Sequence, residues 1–168
     1  EALPIETNDE GKENLFAGRC DVYTTDASGL SSTRAAAANP DKWVVLPEII
    51  SKEPLGPLVR HGDHQWGDVV RWSLNAMIIA EELGVTSENV DAQKSSNVPE
   101  VLRLLGVEGS YGEMLELAPD WAYQIIKQIG NYSESYEANV GPDTPLEIAR
   151  GLNALWTQGG ILYAPPFR

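Results

Sequence analysis

Cysteine is almost absent: Cys20 is the only one in 168 residues, so no disulfide can close within the chain. Histidine is nearly as scarce, with two residues. No Gly-x-Ser-x-Gly, Walker-type loop, dinucleotide fingerprint or paired Cys-x-x-Cys occurs, which leaves little material for nucleophilic, phosphoryl-transfer or redox chemistry. The run His61-Gly62-Asp63-His64 contains zinc-ligand types, but no third strong ligand lies nearby and Gly62 marks a solvated loop, so neither metal nor cofactor is expected. No apolar run approaches the roughly eighteen residues a membrane span needs. No basic start followed by an apolar stretch marks a signal peptide, and a chain opening at Glu1 reads as mature, trimmed or a fragment. Basic residues are few: 12 Lys plus Arg stand against 25 acids, and a net charge of -13 opposes binding to nucleic acid or an anionic membrane.

What remains is an ordinary globular composition, 42% hydrophobic, long enough for a sizeable core. The first third alternates. Leu3 to Glu6 has strand character, and Thr7-Asn8-Asp9-Glu10 has the spacing of a capping box opening a helix that Gly18 ends. Residues 20–25 and 43–46 read as further strands around an alanine-rich helix at 28–38, and such alternation predicts an α/β sheet. Pro47, Pro54 and Pro57 break the next stretch into an extended crossover, read as a hinge, ending in a short strand at 58–60. From Gln65 to Leu83, Trp66, Val69, Val70, Leu74, Met77 and Ile78 recur at helical spacing. Helices are predicted over 98–105, 121–129 and 132–139, the second from Trp121, Ile125 and Ile129 spaced four apart. A last helix is predicted from Thr144-Pro145-Leu146-Glu147, which combines a capping Thr, Pro at the first helical position and Glu three residues after the cap. Most of the five tryptophans fall in helical patterns and are expected in the core.

The stretch Gly18-Arg-Cys-Asp-Val-Tyr-Thr-Thr-Asp26 carries the strongest functional signal. It runs from a helix stop through a short strand to an acid at the strand's C-terminal end, where open α/β sheets hold ligands. Capping the next helix is the simplest role of Asp26 there. Thr25 offers a hydroxyl beside it or packs into the sheet. Thr7 and Asn8 lie at the matching end of the first strand, where capping is their simplest role.

These nine residues resemble the periplasmic solute-binding proteins of polar amino-acid ABC importers. Ser51-Lys-Glu-Pro-Leu-Gly-Pro57, Trp66 to Leu83, Asn131-Tyr132, Asn139-Val-Gly141, Gly151 to Trp156 and the ending Tyr163-Ala-Pro-Pro-Phe-Arg168 are similar to the general L-amino-acid-binding branch. The resemblance implies a type II periplasmic-binding fold, incomplete, of which only the C-terminal half is present, with a mainly helical C-terminal extension. Residues 1–46 would be part of the second lobe, 47–85 the hinge crossover and return strand and helix of the first, and 86–168 the extension. It also implies that Asp26 grips the ligand's α-ammonium, with Asn8 and Thr25 contributing to the pocket. Nothing matches the serine or threonine and the arginine that clamp the ligand carboxylate in the family's first lobe. Cys20 is then a buried strand residue or half of a disulfide whose partner lies outside the chain. The implied partners are L-amino acids, the ABC permease, and a second copy or the complementary N-terminal fragment. Asn131-Tyr132-Ser133 fits a glycan acceptor, which a bacterial family argues against. Alternatives are an enzyme of the dehydratase or lyase kind on the same fold, or a truncated interaction module.

Overall fold

A computed structural model describes residues 2–52 and 54–168; Glu1 and Glu53, the latter inside the Ser51 to Pro57 run, lie outside the described residues. The chain divides into two compact units, Glu1–Pro54 with Pro145–Ile148 and Leu55–Thr144 with Ala149–Arg168.

The first unit holds helices α1 (Asn8–Phe16) and α2 (Ala27–Ala35). Thr7 caps α1 by accepting from the Glu10 amide, while the Glu10 carboxylate reaches one residue further back than a capping box does, to the Glu6 amide. Gly11 lets the Tyr23 ring lie on α1: a Cβ there would stand 2.5 Å from that ring. The segments expected as strands, 3–6, 20–25 and 43–46, run without any ladder partner. The α/β expectation is therefore unmet among the described residues, where the one bridge is an isolated contact of Leu155 with Leu162 in the other unit. A strand is defined by its neighbour, and these segments have none here. The unit's interior reflects it. Its described buried residues are Gly11, Asn14, Ser31 and Thr33, while Val22, Val44, Leu46, Ile49 and Ile50 are exposed. Cys20 is half-buried, with a free thiol.

The second unit is helical and contains the buried apolar core. Asp63 caps α3 (His64–Glu82), accepting from the Trp66 amide at 3.1 Å. Gly84, at φ 67°, ends it in a Schellman turn: the Val85 amide bonds Ala80 and the Gly84 amide bonds Glu81. α4 (Val90–Gln93), α5 (Pro99–Leu104), α6 (Tyr111–Met114), α7 (Trp121–Ile129) and α8 (Tyr132–Asn139) follow. α3 packs against α5, α7 and α8, burying Ala76, Ile78, Ile79 and Ala80, so its buried face is richer in alanine than the large-residue pattern indicated. Small side chains admit two helices to the same face. On α7 the buried residues are Trp121, Ala122 and Ile126, and Ile129 is exposed.

Asn131 joins α8 to the turn after α3. Its Oδ1 accepts from the Glu134 amide, and its Nδ2 donates to the Val85 carbonyl at 2.9 Å. Glu134 returns to the Asn131 amide and also accepts from the Ser87 hydroxyl at 2.6 Å. An asparagine only 4% exposed with both ends engaged is no glycan acceptor. The chain's end folds into the core. Phe167 lies between the Trp72, Tyr111 and Trp121 rings, and its carbonyl accepts from Arg103 Nε.

Two expectations fail here. The helix predicted from Thr144 is absent: Glu147 adopts φ 51°, and 151–153 and 156–158 form separate 3-10 turns. Thr144 Oγ1 donates back to the Gly141 carbonyl, and Glu147 pairs with Arg34 of α2. Trp66 and Trp156 are about half exposed instead of buried; the Trp156 indole donates to Glu82 at the surface. No helix among the described residues is long and apolar enough to cross a membrane.

Candidate functional site

In the first unit the irregular 20–25 segment delivers Asp26 to the start of α2. Asp26 is the N-cap, with Oδ2 accepting from the Gly29 amide at 3.0 Å and from the Ser28 hydroxyl at 2.7 Å. Oδ1 accepts from the Thr25 hydroxyl at 3.2 Å. The Ser28 bond first, then the Gly29 amide, hold the carboxyl below the usual aspartate range against a small opposing effect of burial. The group is therefore an anion at neutral pH.

Around it Thr24, Thr25, Asp26, Ile50 and Ser51 line an open-sided concavity of about 340 Å³. The lining carries hydroxyls and one carboxylate, and neither Lys nor Arg. Thr25 and Asp26 both line it. Asn8 does not line this concavity; at the first turn of α1 its Oδ1 accepts from the Tyr23 hydroxyl at 3.2 Å. Ile50 and Ser51 escaped sequence reasoning because they sit in a proline-broken stretch without periodicity, and Ser28 because a serine in a helix's first turn is commonplace. In the second unit His61 and His64 flank a separate concavity of about 320 Å³ with Arg60, Asp63 and Arg71. Among the described residues no group of three His, Cys, Asp or Glu is placed to hold a metal ion.

The depressed acidity of Asp26 has a sign that can be measured. A carboxyl whose folded value lies below its unfolded value of about 4 contributes stability above that pH and loses it as pH falls through the folded value. Asp26→Ala is expected to cost about 1 kcal/mol at pH 7, the ordinary worth of a cap. The difference from the parent chain, followed by urea denaturation, should shrink below about pH 4. A difference constant down to pH 3 would show that the ionised carboxylate adds nothing.

No protein-family model matches the chain. Individual relatives do. The glutamate/glutamine/aspartate/asparagine-binding protein BztA of Rhodobacter capsulatus is 56% identical over 160 residues, 95% of this chain and 47% of its own length. The general L-amino acid-binding periplasmic protein AapJ of Rhizobium johnstonii is 58% identical over 154 residues, 90% of this chain and 45% of its own. Among solved structures, a periplasmic binding protein of an ABC transporter from Brucella ovis, with glutathione bound, matches at TM-score 0.90 and 52% identity, over 98% of this chain and 52% of that one. The chain spans about half the length of the relatives it matches. With identity at this level over nearly all its residues, the chain is homologous to about half the length of the periplasmic solute-binding proteins of amino-acid ABC transporters.

Proposed function

We propose that this chain carries the ammonium-binding part of an L-amino-acid site in a periplasmic binding protein that delivers its ligand to an ABC permease without chemistry. The observation that carries this reading is Asp26: an anion fixed on the wall of a concavity whose lining includes no cation. Such a wall complements an α-ammonium group and offers an α-carboxylate no counter-charge. A zwitterion bound there alone would leave its carboxylate to solvent, so affinity for free amino acids is expected to be weak. Relatives named as binding components of transporters favour this over an enzyme.

The first unit's segments without ladder partners and the exposed Val22, Val44 and Leu46 support completion by another polypeptide, either the complementary N-terminal part or a second copy. On this reading residues 1–46 belong to one lobe, 47–85 form the crossover and return element of the other, and 86–168 are a helical extension.

Thermal unfolding with millimolar L-amino acids tests the proposal, since a ligand bound only to the folded state stabilises it by RT ln(1 + [L]/Kd). We expect a rise in Tm with L-glutamine and also with its α-amide, which keeps the ammonium and loses the carboxylate charge. Both rises should vanish in Asp26→Ala. A ligand shift that survives this substitution would place the ammonium elsewhere.

A further inference from the structure

The two oxygens of Asp26 are not equivalent. A carboxylate oxygen offers about two acceptor directions. Oδ2 spends both, on the Ser28 hydroxyl at 2.7 Å and the Gly29 amide at 3.0 Å. Oδ1 takes a single, longer bond from Thr25 at 3.2 Å. Oδ1 is thus the less engaged of the two oxygens. The space beside that oxygen depends on a glycine: a Cβ at Gly29 would stand 3.0 Å from Oδ1 and 3.2 Å from Thr25 Cγ2.

We propose that Ser28 is a positioning residue for ligand binding: by occupying Oδ2 it fixes the carboxylate's rotation and leaves Oδ1 as the oxygen that receives the ligand ammonium. The proposal rests on Asp26 being the ammonium acceptor. Capping and positioning are separable, because the cap of α2 is the Gly29 backbone bond and persists without Ser28. Removing the Ser28 hydroxyl leaves Oδ2 with the Gly29 amide alone, so that the carboxylate is held less firmly and Oδ2 can compete for the ammonium, and it withdraws the strongest influence holding the group ionised. The largest influences on this carboxyl are the Ser28 hydroxyl, the Gly29 amide, an opposing effect of burial, the Thr25 hydroxyl and its own amide.

The test is calorimetric titration of the full 168-residue chain with L-glutamine between pH 4 and 8, alongside carboxyl-carbon NMR titration of Asp26. Ser28→Ala is expected to weaken binding about tenfold, the ordinary worth of a hydrogen bond to a charged group. It should also move the acid limb of binding, and the Asp26 carboxyl titration, to higher pH, while Ser28→Thr restores both. Asp26→Asn keeps a capping side chain but removes the charge, and should abolish binding. If Asp26→Asn abolishes binding while Ser28→Ala leaves affinity and the carboxyl titration unchanged, the positioning role is wrong and the ammonium site stands. If Asp26→Asn binds like the parent, or the parent does not bind, the ammonium reading is overturned and the positioning role with it.

Discussion

Arg150→Met is expected to destabilise the helical unit by about 3–5 kcal/mol, because it strands a buried carboxylate. Arg150 donates from one guanidinium nitrogen to both oxygens of Glu81, at 2.9 and 3.0 Å, and the two side chains are only 15% and 8% exposed. The guanidinium also lies near the faces of Tyr132 and Tyr136, at 5.4 and 5.3 Å, and donates to the Asn153 carbonyl. Residues of α3, α8 and the 149–153 segment thus converge on one cation. Burying a lone Glu81 costs far more than the pair gains, so the double variant Arg150→Met with Glu81→Leu should recover much of the loss. Urea denaturation of the two single variants and the double one completes the cycle. Losses that simply add would mean that the pair is not coupled and that Arg150 matters through packing on the tyrosines.

That cluster was invisible in the sequence, where Glu81 and Arg150 stand 69 positions apart. Local chemistry was legible. Thr7 was read as a cap and is one, and α3, α7 and α8 fall within a residue or so of their expected bounds, because α3 and α7 carry helical apolar patterns and α8 opens on a capping box between Asn131 and Glu134. The same start grammar misled at Thr144-Pro145-Leu146-Glu147. A cap lowers the cost of starting a helix but does not supply the packing that keeps one, and Glu147 instead turns left-handed and meets Arg34. The strand readings at 20–25 and 43–46 rested on β-forming side chains, but pairing is a property of two segments and cannot be read from one.

The candidate site divides along the same line. Asp26 was legible as a cap because it stands just before a helix, where a carboxylate satisfies free backbone amides. Thr25 came with it, one residue away. Ile50 and Ser51 complete the concavity from a stretch with no pattern, and Asn8 turns to the Tyr23 hydroxyl 15 residues on, a partner that sequence spacing does not single out.

Gly106→Ala should be among the most damaging single-methyl changes in the chain, and Gly84→Ala is its control. Both glycines follow a helix in the same Schellman arrangement, at nearly equal φ of 71° and 67°. Val107 bonds Leu102 and Gly106 bonds Arg103, as Val85 and Gly84 do behind α3. A side chain in this left-handed backbone costs about 1–2 kcal/mol at either site. Their surroundings differ. A Cβ at Gly84 meets nothing within 4 Å, whereas one at Gly106 would sit 1.9 Å from the Pro119 carbonyl oxygen and 2.6 Å from its carbon. Backbone cannot swing aside as a side-chain tip can, and here it leads directly into α7, whose Trp121 packs on Phe167. Overpacking of this kind adds roughly 1–3 kcal/mol, so Gly106→Ala is expected to lose about 2–5 kcal/mol against about 1–2 for Gly84→Ala. The difference between the two variants in urea isolates the Pro119 contact, since the backbone cost cancels. Equal losses would mean that the 118–120 turn yields freely and that the approach of α5 to α7 is not fixed by Gly106.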